Sequence, residues 1–187
     1  MRNLYDTEEF ENAYTYLGHD LGAFWAESQT VFRLWAPTAR EVTLLLYRDG
    51  LGGEPLTSQQ LHPEKNGTWI ARRMGNLKGL YYTYLVNVDG QAKEACDPYA
   101  KAVGVNGQRA MVIDLRETNP AGWTEDRSPF RGKGITDAVL YELHIRDLSM
   151  HRSSHIQNKG KYLGLAETGT HTGAAMPRVW ITSGSWA

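Results

Sequence analysis

Between residues 23 and 96 apolar and polar positions alternate with a period of two. Phe32, Leu34 and Ala36 fall on one face of a strand that Pro37 ends, and Val42, Leu44 and Leu46 do the same in the next. Leu56 to Leu61, Thr68 to Met74, Leu80 to Val88 and the short Gln91 to Cys96 follow, with Tyr82, Tyr84, Val86 and Val88 on one side. Asp49-Gly50, Asn66-Gly67, Asp89-Gly90 and Asn106-Gly107 punctuate the chain, and each pair tolerates the positive φ of a tight turn. Short alternating strands joined by such turns predict a mainly β fold, an antiparallel β-sandwich.

The flanks read differently. Asp6 followed by Glu9 has the form of an N-cap with its capping box, so a short acidic helix is expected from Thr7 to Ala13. Met111 to Leu115 resumes the alternation briefly. Ser128 to Gly134 is a Pro/Gly-rich hinge and the expected domain boundary. Beyond it, Thr136 to Leu148 reads as one long strand with Val139, Tyr141, Leu143 and Ile145 on one face. Its start is apolar on both faces, as in a strand buried within a parallel sheet. Residues 171–187 fit neither period: they hold one charged residue, Arg178, and two of the six Trp.

Composition adds exclusions. The chain has 187 residues, 41% hydrophobic and 22% charged, which is ordinary for a globular protein. Twenty Lys plus Arg face 21 Asp plus Glu, a net charge of -1, so no basic footprint for nucleic acid exists and no nucleic-acid partner is expected. No stretch approaches the roughly 20 apolar residues of a membrane span, and the start runs straight into Thr7-Glu8-Glu9; no membrane association and a cytoplasmic location are expected. Cys96 is alone, so no internal disulfide forms.

Candidate chemistry is sparse. Glu142 and Asp147 are the obvious carboxylate pair, but on one extended strand they would stand about 16 Å apart and face opposite ways, too far for glycoside hydrolysis. His151 and His155 have the spacing of a zinc pair on a helix. Arg152-Ser153-Ser154 between them is poor helix sequence and no third ligand is suitably spaced, so they read as solvated loop histidines and no metal is expected. His144 reads as a hydrogen-bonded structural histidine. Gly-x-Ser-x-Gly, Gly-x-Gly-x-x-Gly and the phosphate-binding Gly-x-x-x-x-Gly-Lys-Ser/Thr are absent. Glu94 and Asp97 around Cys96 would raise its thiol pKa, which argues against a catalytic thiolate. No cofactor is expected. Among aromatics that could offer a flat face to a sugar, Trp35 reads as packing, whereas Trp69, Tyr81 and Trp25 are the candidate ligand-binding residues.

Several segments together resemble a known family. Tyr16-Leu17-Gly18-His19-Asp20-Leu21-Gly22, then Phe32-Arg33-Leu34-Trp35-Ala36-Pro37-Thr38-Ala39 with Val42, are similar to the amino-terminal module of bacterial type I pullulanases, debranching members of the α-amylase superfamily. Asp97-Pro98-Tyr99-Ala100-Lys101-Ala102, Val105-Asn106-Gly107 and Met111 to Leu115 resemble the end of that module. Tyr141 to Ser149 and Asn158 to Leu165 resemble the first strand of a (β/α)8 catalytic barrel and the loop after it.

The resemblance implies an immunoglobulin-like sandwich module over residues 1–130, with the acidic helix at its start. An incomplete barrel stub is implied over 131–170, and an irregular tail over 171–187 that departs from the family as a shifted reading frame would. It implies hydrolysis of α-1,6 bonds in α-glucans by an Asp, a Glu and a second Asp on later barrel strands. None of those motifs is in this sequence, so the catalytic set is empty and this chain alone is expected to be inactive. The partner it implies is an α-glucan of the pullulan, glycogen or starch type, with Trp69, Tyr81 and Trp25 as its contacts. The alternatives are a standalone α-glucan-binding module and a structural docking module; the first would expose coplanar aromatics, the second an apolar patch.

Overall fold

The computed structural model describes residues 4–128 and 130–170, so the expectation of a frame-shifted tail lies outside the described residues. The chain divides into two units, up to Trp123 and from Thr124 onward. The first unit is the sandwich. Its strands are β1 (Gly22–Trp25), β2 (Gln29–Trp35), β3 (Glu41–Tyr47), β4 (Thr57–Gln60), β5 (His62–Pro63), β6 (Thr68–Met74), β7 (Tyr81–Val88), β8 (Gln91–Ala95) and β9 (Ala110–Met111). One sheet has the order β1-β2-β6-β5; the other has β4-β3-β7-β8, with β9 also pairing β7. All pairings are antiparallel.

Alternation decides which side chains enter the core. Phe32 and Leu34 of β2 face Val42, Leu44 and Leu46 of β3 and Tyr82 and Tyr84 of β7 in one buried cluster. Fully burying side chains of this size is worth roughly 1.5–3 kcal/mol each. Phe32 and Tyr82 meet edge to face at 5.0 Å. The predicted run Leu56 to Leu61 is two strands: Leu61, 2% exposed, turns the chain inward, and β4 and β5 on either side of it join different sheets.

Three of the four predicted turns take the expected conformation. Asn66, Asp89 and Asn106 have φ of 57°, 51° and 54°, each followed by a glycine also at positive φ. Asp49-Gly50 does not; there the positive φ moves to Gly52 and Gly53. The acidic helix is α1 (Glu8–Tyr14), and its N-cap is Thr7, whose hydroxyl accepts from the Phe10 N–H, rather than Asp6. Trp35, on the outer face of β2, donates its indole N–H to the Tyr14 and Asn66 carbonyls, tying the helix end to the 66–67 turn. Arg33 beside it, 9% exposed, is paired with Asp20 at 2.9 Å and Glu64 at 2.6 Å.

The second unit corrects the expected barrel strand. Residues 138–144 form no strand, and Thr136 and Leu148 lie in a 3-10 turn (Ile135–Asp137) and in helix α2 (Ile145–Met150). A parallel strand needs hydrogen-bonded neighbours on both sides, and the described residues supply none. His144 caps α2, its Nδ1 accepting from the Asp147 N–H at 3.3 Å, which is the structural role expected of it. Two buried serines hold the rest together. Ser149 Oγ accepts from the Gly160 N–H, and Ser154 Oγ donates to the Ser149 carbonyl, both at 2.7 Å. Val139, Leu140 and Tyr141 are left 91%, 96% and 76% exposed.

An exposed run of apolar side chains of this kind is an aggregation hazard. A chain ending at Gly134 is therefore expected to elute as a monomer at concentrations where the full chain elutes early from a size-exclusion column. Identical elution of the two, with the Val139 and Leu140 amides protected from exchange, would show that the run has found a partner.

Candidate functional site

The three aromatics singled out from the sequence do not form one surface. Trp69 stands opposite Leu34 on the inner face of β6, 8% exposed, and donates its indole N–H to the Ala36 carbonyl at 3.0 Å. Its ring belongs to the core and offers no face to a ligand, which corrects that expectation. Trp25, half-buried at the end of β1, packs against the core cluster and donates its indole N–H to Asn76 Oδ1 at 2.9 Å. The Lys78 ammonium lies 5.4 Å from its ring centroid and bonds Glu117 at 2.6 Å, so Trp25 braces the 76–78 turn. Tyr81 belongs to the other sheet, opposite Tyr47 and Met111. Its ring lies against Gly50 and Gly104, where an added Cβ would come within 2.9 and 3.0 Å of it.

The outer face of the β4-β3-β7-β8 sheet carries a cleft of about 630 Å³. Leu51, Glu94, Cys96, Asn106, Gln108 and Arg109 line it. The cleft is built from three separate stretches: the loop after β3, strand β8, and the 106–109 turn before β9. Glu94 sits on β8 opposite Leu85, and its Oε1 accepts hydrogen bonds from the Tyr47 hydroxyl and Thr83 Oγ1, both at 2.7 Å. Burial and the bond to Glu94 push the Tyr47 hydroxyl pKa up, so it stays a donor.

Arg109 closes the cleft on the loop side. Its Nη1 donates to the Asp49 and Gly52 carbonyls at 2.7 and 2.6 Å and its Nη2 to the Gly53 carbonyl at 3.3 Å. Its guanidinium carbon sits 3.4 Å from the Tyr47 ring centroid, a stacking distance. Burial first, and the nearby Asp97 second, push the Cys96 thiol up, which leaves it a neutral wall of the cleft rather than a nucleophile. The arrangement suits a neutral, hydroxyl-rich ligand: fixed donors and acceptors, one exposed aliphatic side chain, and a cation whose protons go to carbonyls.

Asp97 ends the strand region from within. It is 3% exposed and accepts from the Tyr82 hydroxyl at 2.7 Å and the Tyr99 N–H at 2.8 Å. In the second unit Glu167 plays a comparable part at the surface. Its carboxylate takes the Gln157 and Asn158 N–H groups and the Asn158 side-chain amide, and these bonds hold its pKa low. Glu142 is exposed in the 138–144 stretch, and Asp147 faces His144 Nδ1 at 3.5 Å. Among the described residues no group of three His, Cys, Asp or Glu could hold a metal ion, and no helix is long and apolar enough to cross a membrane.

Sequence reasoning missed Leu51, Glu94, Asn106, Gln108 and Arg109. The available signal was the glycine-dense Asp49-Gly50-Leu51-Gly52-Gly53, read only as a turn.

Comparison with known proteins shows what the chain resembles. Residues 20–100 match the model of carbohydrate-binding module 48 (isoamylase N-terminal domain). The chain is 37% identical over 166 residues to a pullulanase of Bacillus subtilis (strain 168), covering 89% of this chain and 22% of that protein. It is 32% identical over 154 residues to the chloroplastic pullulanase 1 of Arabidopsis thaliana, covering 76% of this chain and 16% of that one. Among solved structures, the pullulanase of Paenibacillus barengoltzii in complex with maltohexaose and α-cyclodextrin superposes with a TM-score of 0.85 at 46% identity. That match covers 93% of this chain and 27% of the other. The chain thus spans about a quarter or less of the length of these relatives. Residues 20–100 thus carry the match to carbohydrate-binding module 48, and the chain as a whole is similar to the corresponding stretch of pullulanases.

Proposed function

We propose that this chain is the α-glucan-binding module of a pullulanase-type debranching glycoside hydrolase, and that it holds the glucan in the cleft on the outer face of the β4-β3-β7-β8 sheet. The carrying observation is the convergence of Glu94, Asn106, Gln108 and Arg109 around one open cleft on a module that matches this family. The P. barengoltzii pullulanase with which it superposes has been crystallised with maltohexaose and α-cyclodextrin, which supports an α-glucan as the ligand class. Cleavage of α-1,6 bonds belongs to the longer enzyme in this reading; within the second unit Glu142 is exposed and Asp147 faces His144.

A docking role is the second reading, and one observation favours it. Phe24 and Met74, 37% and 75% exposed, share the outer face of the other sheet with half-buried Val31, and no coplanar pair of exposed aromatics occurs on either sheet among the described residues. Titrating the labelled chain with maltohexaose, and with cellohexaose as a β-linked control, separates the readings. Amide shifts at Leu51, Gly52 and Asn106 to Arg109 with maltohexaose alone are expected. No shift at millimolar maltohexaose would leave the docking role in its place.

A further inference from the structure

We infer that Arg109 is the positioning residue of the cleft: it sets the shape of the wall formed by residues 48–53, and affinity for glucan follows from that shape. The inference rests on the glucan-binding reading given above. Gly50, at the base of the wall, lies against Tyr81 and Gly104, but the tip beyond it has no such support. Gly52 and Gly53 sit at φ of 69° each, and beyond their chain neighbours no atom lies within 4 Å of where a Cβ would stand on either, so that side of the tip is open. Glycines this free lose much conformational entropy when fixed. At the tip, the side-chain hydrogen bonds to the Gly52 and Gly53 carbonyls come from Arg109.

Arg109 bonds the carbonyls of Asp49, Gly52 and Gly53 from some sixty residues further along the chain. Its planar fork can reach several acceptors at once, which a lysine ammonium on a flexible stem does not reproduce. The fork is itself held. Tyr47 stacks beneath it, and the Tyr47 hydroxyl is bonded to Glu94, which also takes Thr83. On the other side the 103–110 segment is closed by the Gly104 N–H donating to the Arg109 carbonyl at 2.8 Å. A continuous line of contacts therefore runs from the centre of the sheet through Glu94, Tyr47 and Arg109 to the loop tip. Arg109 also lines the cleft, so wall and ligand surface are set by one group. Without it a glucan would have to order the loop on binding, and that cost comes out of the affinity.

The test uses the full chain with Arg109→Ala and Arg109→Lys, measuring amide exchange, thermal unfolding and affinity for α-cyclodextrin and maltohexaose by calorimetry. Expected are faster exchange over residues 49–53, an unfolding midpoint close to that of the wild type, and an affinity loss on the order of tenfold in both variants. A loss shared by the lysine variant excludes charge alone as the cause, and an unchanged midpoint excludes a general loosening of the fold. A wild-type chain that binds neither sugar overturns the glucan reading itself. Wild-type binding that both variants retain, or unchanged exchange over 49–53, overturns the role of Arg109 and leaves the glucan reading standing.

Discussion

Trp69→Ala is expected to cost about 3–5 kcal/mol of folding stability, the range for removing a large aromatic from a packed core. That is a large share of the roughly 5–15 kcal/mol that holds a domain of this kind together. The cost has two sources. The indole fills the space beneath Leu34 and beside Ala71 in the inner layer, and its N–H satisfies the Ala36 carbonyl just before Pro37. Trp69→Phe separates them: it keeps most of the volume and loses the hydrogen bond, for about 1–2 kcal/mol. Urea unfolding followed by circular dichroism measures both. Affinity for maltohexaose per folded molecule should be unchanged in Trp69→Phe, because the ring never meets the ligand. A variant that unfolds at the wild-type urea concentration but no longer binds sugar would return Trp69 to the binding surface.

Asp97 gives the second large effect, and here the sign depends on the replacement. Asp97→Ala strips the partner from the buried Tyr82 hydroxyl and the Tyr99 N–H and should cost about 2–4 kcal/mol. Asp97→Asn should be neutral or stabilising at pH 7. Burial holds the Asp97 carboxyl above the usual carboxylate range, outweighing the hydrogen bonds from Tyr82 and Tyr99 that pull it down. The folded chain therefore binds this proton more tightly than the unfolded chain does. Its contribution to stability is complete below the unfolded carboxyl value of about 4 and is lost as pH rises through the folded value. Asparagine keeps an acceptor for the Tyr99 N–H and a polar partner for Tyr82 without the buried charge. The stability of Asp97→Asn relative to wild type should thus rise as pH goes from 3 to 7. A flat difference would mean that burial and the hydrogen bonds cancel at Asp97, and a falling one that the hydrogen bonds from Tyr82 and Tyr99 outweigh burial.

The core was legible where one face of a strand is buried and the other is not. Phe32 with Leu34, and Val42 with Leu44 and Leu46, alternate because solvent or light cover lies on the other side, and the structure buries these five. Trp69 was not legible by that rule, since Thr68 to Ala71 are buried on both sides of β6 and alternation there carries no direction. The Asp89-Gly90 and Asn66-Gly67 turns followed from residue chemistry alone. The helix cap moved by one residue because Asp6 and Thr7 are both good caps, and only the placement of Phe10 decides between them. The strand expected from Thr136 failed because a strand is a property of neighbours, and the described residues supply none. The cleft was invisible for a related reason: Leu51, Glu94 and Arg109 come together only once β3, β8 and the 106–109 turn are in place.

The interleaving of the two sheets has a kinetic consequence. Gln29 pairs with Met74 in one sheet and Glu41 with Asn87 in the other, so each sheet closes over a loop that contains part of its counterpart. Neither closure can be completed first and left waiting, because each buries its apolar side only against the other. The β7–β8 hairpin, joined by two residues, has a short contact span, as β1–β2 and β5–β6 do, and it can form within microseconds. The barrier must then lie where β2 meets β6 and β3 meets β7 together, with a relative contact order that places folding in the millisecond-to-second range rather than below it.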